Sequence, residues 1–333
     1  MDETAVAQDL LLSSVWIKAV KDGKIVNEFK ALNGDRIQFG LALQNGCIEY
    51  YARNIETGCE MPALVEEKNI EQSGFVIQFN GYRALKPGGR ILNIGKQPDI
   101  SGEAVNCRFY CQDSSYELSI LKRDPLVQIA LPNYKWNGYY NATPFEKEGH
   151  FLWLPVFTDK AVTISHIRQE LSHTFLEDAL ALFRNSDRLM IFFNSLHAGA
   201  SVNHIHLQAI FHKKALSIES ASITRQGRFT VLDNYPARGI IFHRNAESDE
   251  VWPCVDYLQK NGIPFNLIFA GDRICLIPRN PLHEVVSELP TNIIASTELA
   301  GKIITVDRNV YDNMNYAIIQ KAFQKTTVEY YSV

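Results

Sequence analysis

The chain has 333 residues, enough for about two folding units with sizeable cores. It is 46% hydrophobic and 21% charged, which excludes a collagenous, disordered or small disulfide-stapled protein. Thirty-three basic side chains against 37 acidic ones leave a net charge of -4, so a general electrostatic grip on nucleic acid is excluded and any bound anion must be held locally.

The opening residues, MDETAVAQDLLLSSVW, are acidic where a secretion signal needs basic residues, and no run of about 18 apolar residues occurs, so neither export nor a membrane-spanning helix is expected. Cys47, Cys59, Cys107, Cys111, Cys254 and Cys275 are spaced irregularly, as expected of reduced thiols in the cytoplasm. Residues 4 to 20 place Val6, Leu10, Leu11 and Ile17 at helical spacing, which predicts one amphipathic helix ending at Asp22-Gly23. From 25 to 85, short alternations such as Arg36 to Phe39 and Phe75 to Phe79 predict strands, and Lys86 to Arg90 reads as a turn lacking the Gly-Lys-Ser/Thr ending of a P-loop.

Strands are predicted at Tyr116 to Leu121 and Phe151 to Pro155, flanking a polar connection. A helix follows on Leu171, Phe175, Ala179, Leu182 and Phe183. Two apolar strands come next, Leu189 to Asn194 and His204 to Phe211, joined by the small-residue loop Ser195 to Ser201. Beyond a polar boundary at 213 to 228, the pattern predicts a strand at Arg238 to His243, a helix at Val251 to Lys260 and strands at Pro264 to Phe269 and Arg273 to Pro278. A closing helix carries Tyr311, Met314, Ile318 and Ala322. Both halves mix α and β, and in each an apolar strand ends on proline, Pro155 and Pro278, which suggests an internal duplication.

The chemistry concentrates in Asn203 to Phe211. Alternation on a strand sends His204, His206 and Gln208 to one side and Ile205, Leu207, Ala209 and Phe211 to the other. The apolar set satisfies the core, so the polar set must face solvent, a metal or a ligand. Gly199, Ala200 and Ser201 just before it offer backbone N–H groups and a hydroxyl to a phosphate. A neutral imidazole attacks phosphorus well near pH 7, and the resulting phosphoramidate can pass its nucleotidyl group to a second acceptor. Gln208 can donate to a phosphate oxygen but cannot act as an acid, which favours transfer over hydrolysis. A bare His-x-His is more often a surface pair or metal site than a catalytic one, so the loop and the glutamine carry weight here. The other histidines read as bland: His150 as a structural hydrogen bond, His166 and His173 as surface or capping residues, His197 and His212 as solvated or packing. Cys254 and Cys275 read as inert core thiols.

Gly199 to Gln208 resembles the active-site strand of the histidine-triad superfamily, in the branch where glutamine replaces the third histidine. Phe193 to Leu196 with Asn203 to Ala209, Asn261 to Ile268 and Arg273 to Pro278 is similar to the GDP-hexose phosphorylases; Gln78 to Asn80 with Arg83 and Lys86, Asn141 through His150 to Pro155, and Glu298 with Gly301 match less closely. The resemblance implies an α+β fold, an antiparallel histidine-triad-like sheet with flanking helices, divided as an N-terminal extension (1–70), a catalytic half (71–220) and a C-terminal half (221–333). It implies that His206 is the nucleotidylated nucleophile and His204 its orienting neighbour or, as in some uridylyltransferases, a zinc ligand. Gln208 and Ser201 are implied phosphate ligands with Gly199 and Ala200, Asn194 fixes the nucleophile loop, Asn141 touches the nucleotide and Arg83 lies near the diphosphate.

The pair Cys107 and Cys111 is one residue wider than a Cys-x-x-Cys knuckle, so no metal and no cofactor are expected. The absence of prolines around His204 and His206 points to phosphorylases, with inorganic phosphate as acceptor and a nucleotide sugar as substrate. A dinucleoside polyphosphate phosphorylase and a non-catalytic nucleotide-binding sensor are the alternatives, and the resemblance makes a homodimer an expectation.

Overall fold

Helix α1 (Glu3–Lys21) packs by a stripe different from the expected one. The computed structural model describes residues 3–30, 34–61, 65–71, 73–81, 83, 107, 109, 111, 122–141, 143–156, 166–289 and 293–329. Leu12, Trp16, Ala19 and Val20 of α1 join the main core, whereas Leu10 is 65% exposed and Val6, Leu11 and Ile17 also face outward. Asp9 interrupts the buried stripe in the sequence, but its carboxylate is satisfied by the Ser186 hydroxyl and by the Asp187 N–H at 3.1 Å. The expected turn at Lys86 to Arg90 and strand at Tyr116 to Leu121 lie outside the described residues.

Strands β1 (Val26–Lys30), β2 (Arg36–Gln44), β3 (Cys47–Asn54) and β4 (Glu60–Met61) form an antiparallel four-stranded sheet in chain order. A three-stranded sheet pairs β5 (Val65–Asn69) with β6 (Val76–Asn80), and β6 in parallel with β17 (Lys302–Thr305), which ties residues near 80 to the end of the chain.

The centre of the molecule is a ten-stranded antiparallel sheet. One side holds β7 (Val127–Ala130), β8 (Lys135–Tyr140), β9 (His150–Val156), β11 (Leu207–Phe211) and β10 (Leu189–Asn194), in that spatial order. The other side holds β12 (Ser222–Gln226), β13 (Phe229–Asp233), β14 (Ile240–His243), β16 (Arg273–Pro278) and β15 (Phe265–Ala270), so both sides follow the same order. Helix α2 (His173–Arg184) enters between the third and fourth strands of the first set, and α3 (Ser248–Lys260) does so in the second. The two sets meet where β10 pairs with β15. The β7–β8 hairpin falls inside the expected polar connection, and β12 inside the expected polar boundary. Both are exposed on one or both faces, so their apolar content is low.

Every residue of β10 and β15 is buried, because helices cover both faces of the sheet there. On one face Ile191, Phe193, Leu207, Phe211, Leu267 and Phe269 pack with α1, α2 and α3. On the other, Met190, Phe192, Ile210, Ile268 and Ile277 pack beneath α4 (Ser296–Ala300), α5 (Arg308–Asn313), α6 (Tyr316–Thr326), β6 and β17. The expected closing helix is thus two helices, with Asp307 and Asn315 as their N-caps. No described helix is long and apolar enough to cross a membrane.

Candidate active site

Strand β11 begins at Leu207, three residues later than expected, and residues 201 to 206 run as irregular chain before it. The alternation of faces nevertheless holds through this stretch. Ile205, Leu207, Ala209 and Phe211 lie in the main core, while the rings of His204 and His206 both stand roughly perpendicular to that of Phe109, with centroids at 5.7 and 5.3 Å. His204 is 3% exposed and His206 is 5% exposed, so of the expected surroundings solvent is excluded.

The His206 Nδ1 lies 2.7 Å from the carbonyl oxygen of His204. A carbonyl only accepts, so Nδ1 carries the hydrogen and the lone pair sits on Nε2. Burial pushes the His206 imidazole down to about 4, against the opposing pull of the His204 carbonyl, so the ring is neutral at physiological pH. Among the described residues Nε2 has no hydrogen-bond partner. The ring is thus a neutral, oriented electron-pair donor.

Gln208 is oriented by His150. The Phe145 N–H donates to His150 Nδ1 at 3.4 Å, which leaves the hydrogen on Nε2 to donate to Gln208 Oε1 at 3.2 Å. With its oxygen held this way, the amide directs its NH2 end away from His150, as a donor for an anionic oxygen. His150 therefore makes the structural hydrogen bond expected of it. Asn141 flanks the same ring, its Nδ2 at 3.2 Å from His150 Nε2, and its Oδ1 accepts from the Thr143 N–H at 2.9 Å. Arg83 donates from Nη1 to the Thr143 carbonyl at 2.9 Å, and its charge acts on the buried carboxyl of Glu298.

Asn194 ends β10, where the loop that leads to the histidines begins. Its Oδ1 accepts from Asn266 Nδ2 at 2.7 Å and from the Ser296 N–H at 3.1 Å. Buried Arg279 sets the orientation of Asn266, donating to its Oδ1 at 2.6 Å, and Asn266 also donates to the Ala198 carbonyl at 2.7 Å. The expected cradle is partly committed inside the protein. The Gly199 N–H donates to Glu284 Oε1 at 2.7 Å, the Ala200 N–H faces the Ser195 carbonyl at 3.4 Å, and Ser201 alone of the three is exposed. Two of the three expected donors thus already have acceptors.

A cluster of possible metal ligands stands beside His206, although no metal is expected from the sequence. Cys107, Cys111, His166 and His204 each offer one ligand atom, all within 4.8 Å of one another. Cys107 Sγ lies 3.6 Å from His204 Nδ1, and Cys111 Sγ lies 3.5 Å from His166 Nδ1. Tetrahedral zinc with Zn–S of about 2.3 Å and Zn–N of about 2.0 Å requires sulfur-to-nitrogen edges of roughly 3.6 Å, so the donors fit zinc. The extra residue between the cysteines lengthens the loop without moving either thiol out of reach. Contact with the Cys111 thiol and the His204 ring holds the Cys107 thiol below its ordinary value, and contact with Cys107 together with burial holds the Cys111 thiol above its own, so the pair favours a single thiolate. His166, read from the sequence as a surface or capping residue, belongs to this cluster.

Residues 210–332 match a family described as "GDPGP1-like, C-terminal domain". The chain is 31% identical over 273 residues to GDP-L-galactose phosphorylase 2 of Arabidopsis thaliana, covering 72% of this chain and 61% of that protein. It is 23% identical over 276 residues to GDP-D-glucose phosphorylase 1 of Homo sapiens, covering 78% and 60%. The chain spans about three fifths of the length of these curated relatives. In fold it is similar to yeast Ap4A phosphorylase Apa2 in complex with AMP, with a TM-score of 0.55, 15% identity and coverage of 96% and 95% of the two chains. The complex of that protein with Ap4A gives a TM-score of 0.54 at 17% identity, covering 80% of this chain and 90% of that one.

Proposed function

We propose that this homologue of the GDP-hexose phosphorylases, carrying a GDPGP1-like C-terminal domain, cleaves a guanosine-diphosphate hexose with inorganic phosphate. The observation that carries the reading is the Nδ1 hydrogen of His206 held by the His204 carbonyl, with Nε2 left as the electron-pair donor. Nε2 attacks the α-phosphorus, a P–N bond forms, and the bond from that phosphorus to the bridging oxygen breaks as hexose 1-phosphate departs. Inorganic phosphate then attacks the same phosphorus, the P–N bond breaks, and guanosine diphosphate leaves with the imidazole restored. Negative charge grows on the phosphoryl oxygens in both steps. The Gln208 NH2, the Ser201 hydroxyl and Arg83 are the donors we assign to it, each well-aimed one contributing on the order of 3 kcal/mol.

In this reading Asn141 contacts the nucleotide and Asn194 holds the loop. Zinc, where bound, is held by Cys107, Cys111, His166 and His204 and supplies a structural crosslink that fixes the backbone of His204. We further propose that the two sets of strands are a catalytic half ending near 220 and a companion half from 221. The histidine-bearing loop between β10 and β11 has as its counterpart between β15 and β16 only the turn Gly271-Asp272.

The likeness in fold to Ap4A phosphorylase favours a second reading, phosphorolysis of a dinucleoside polyphosphate by the same histidine. Both are tested by incubating the protein with phosphate and either GDP-hexoses or diadenosine tetraphosphate, and identifying products by mass. Guanosine diphosphate with hexose 1-phosphate supports the first reading, and consumption of the dinucleotide alone supports the second. Nucleotide binding with neither turnover nor an acid-labile, base-stable histidine adduct leaves a sensor and overturns both.

A further inference from the structure

His206 precedes β11, and among the described residues no neighbouring strand pairs with its backbone. A single side chain takes that role. Gln169, 1% exposed, accepts from the His206 N–H through Oε1 at 2.9 Å and donates from Nε2 to the His206 carbonyl at 3.1 Å. The same Nε2 donates to the Asn194 carbonyl at 2.9 Å, and the Gln169 N–H donates to Asn203 Oδ1 at 3.0 Å. Beside it the Ile205 N–H donates to the Ile167 carbonyl at 2.9 Å. One primary amide thus reproduces both rungs of a strand ladder on the nucleophile residue and ties it to the end of β10. The short segment that bears Gln169 also bears the cluster residue His166.

We propose that Gln169 is the positioning residue for the nucleotidylated histidine. It acts through the backbone of His206, and the inference rests on the phosphorylase reading above. The ring is aimed by the His204 carbonyl, but that aim is only as firm as the main chain on which the ring is mounted. An amide satisfies all three main-chain groups at once. A carboxylate accepts from the N–H but meets two carbonyl oxygens with its own lone pairs, and alanine leaves all three groups unsatisfied.

The test compares wild type with Gln169→Glu and Gln169→Ala in single turnovers with GDP-hexose, then with phosphate added to the isolated adduct. Melting curves are recorded in parallel. Loss of aim slows adduct formation by about 100-fold. It slows discharge to phosphate by the same factor, because both steps use the same ring geometry, while the KM for the nucleotide sugar stays within about twofold because Gln169 touches no substrate. Rates unchanged in Gln169→Glu overturn the proposal, as does a loss confined to KM or one that only follows the fraction of folded protein. If Gln169→Ala does not fold, the near-isosteric Gln169→Glu carries the comparison. Failure of the wild type to form any adduct removes the phosphorylase reading instead, so the two failures are separate.

Discussion

The main-chain oxygen of His204 and the Nδ1 of His206 are 2.7 Å apart, while the Nδ1 of His204 itself faces the Cys107 thiol at 3.6 Å. One residue therefore aims the His206 ring with its backbone and joins the cysteine cluster with its own ring.

Replacing His206 by alanine removes the only atom assigned to form a bond with phosphorus. Turnover falls by roughly 10⁴-fold or more, and no labelled nucleotide remains on the denatured protein. Far-ultraviolet circular dichroism stays as in wild type, because the main-chain contacts to Gln169 are kept. Activity within tenfold of wild type, about 1.4 kcal/mol, refutes the assignment.

Protein purified without chelator is expected to carry about one zinc per chain by elemental analysis. Cys107→Ser and Cys111→Ser each lower that content, and cobalt substitution in the wild type gives thiolate-to-metal absorption that the variants lose. Metal-free wild type, together with unchanged melting after chelation, counts against the cluster as a zinc site.

Glu298 is 6% exposed, and burial pushes its carboxyl up to about 7, an effect the Ala295 N–H and Arg83 only partly oppose. A carboxyl held higher in the folded state than in the unfolded one contributes stability in full below about pH 4.5, and this is lost as pH rises through about 7. The difference across that window is on the order of 3 kcal/mol. Glu298→Gln removes the titration, so its urea midpoint falls less than that of wild type between about pH 5 and pH 8. Parallel curves for the two proteins would show that Glu298 is not the group responsible.

Gly199 has φ of +98°, and a Cβ placed there lies 2.5 Å from the Ala295 Cβ. Gly199→Ala is expected to destabilise by about 2 kcal/mol and to slow turnover, because the loop between Asn194 and His206 must shift. Adding Ala295→Gly relieves the collision but not the backbone strain, so the double variant recovers part of the loss. Full recovery, or none, in thermal melts contradicts this division.

Asp178, fully buried in α2, accepts from the Asn133 N–H at 2.8 Å, the Tyr134 N–H at 3.0 Å and the Trp136 indole at 2.8 Å. Asp178→Ala leaves these donors unpaired and costs about 3 kcal/mol in chemical denaturation. The β7–β8 hairpin opens first, which hydrogen exchange at Lys135 to Tyr140 detects. A midpoint unchanged from wild type rules out this anchoring role.

What the sequence reveals follows from how local each feature is. β10 is legible residue for residue, because burial on both faces writes a continuous apolar run, and the face shared by His204, His206 and Gln208 is legible from alternation alone. The cluster of Cys107, Cys111, His166 and His204 is not, since three separated segments supply it and only folding brings them together. Gln169 leaves no pattern either: a side chain that substitutes for a strand looks like any polar residue in a loop. The stripe of α1 is misread because a buried carboxylate, Asp9, stands in it, and its partners Ser186 and Asp187 lie far along the chain.

Two sets of strands follow the same order, and only one carries the histidine-bearing loop. Asn266 of the second set, held by Arg279, reaches across the seam to Asn194 and to the Ala198 carbonyl of the loop, so the second set serves as a jig for that loop. On the proposed assignment of His206, damage to Asn266 or Arg279 would register as lost speed at a ring carried by the neighbouring set.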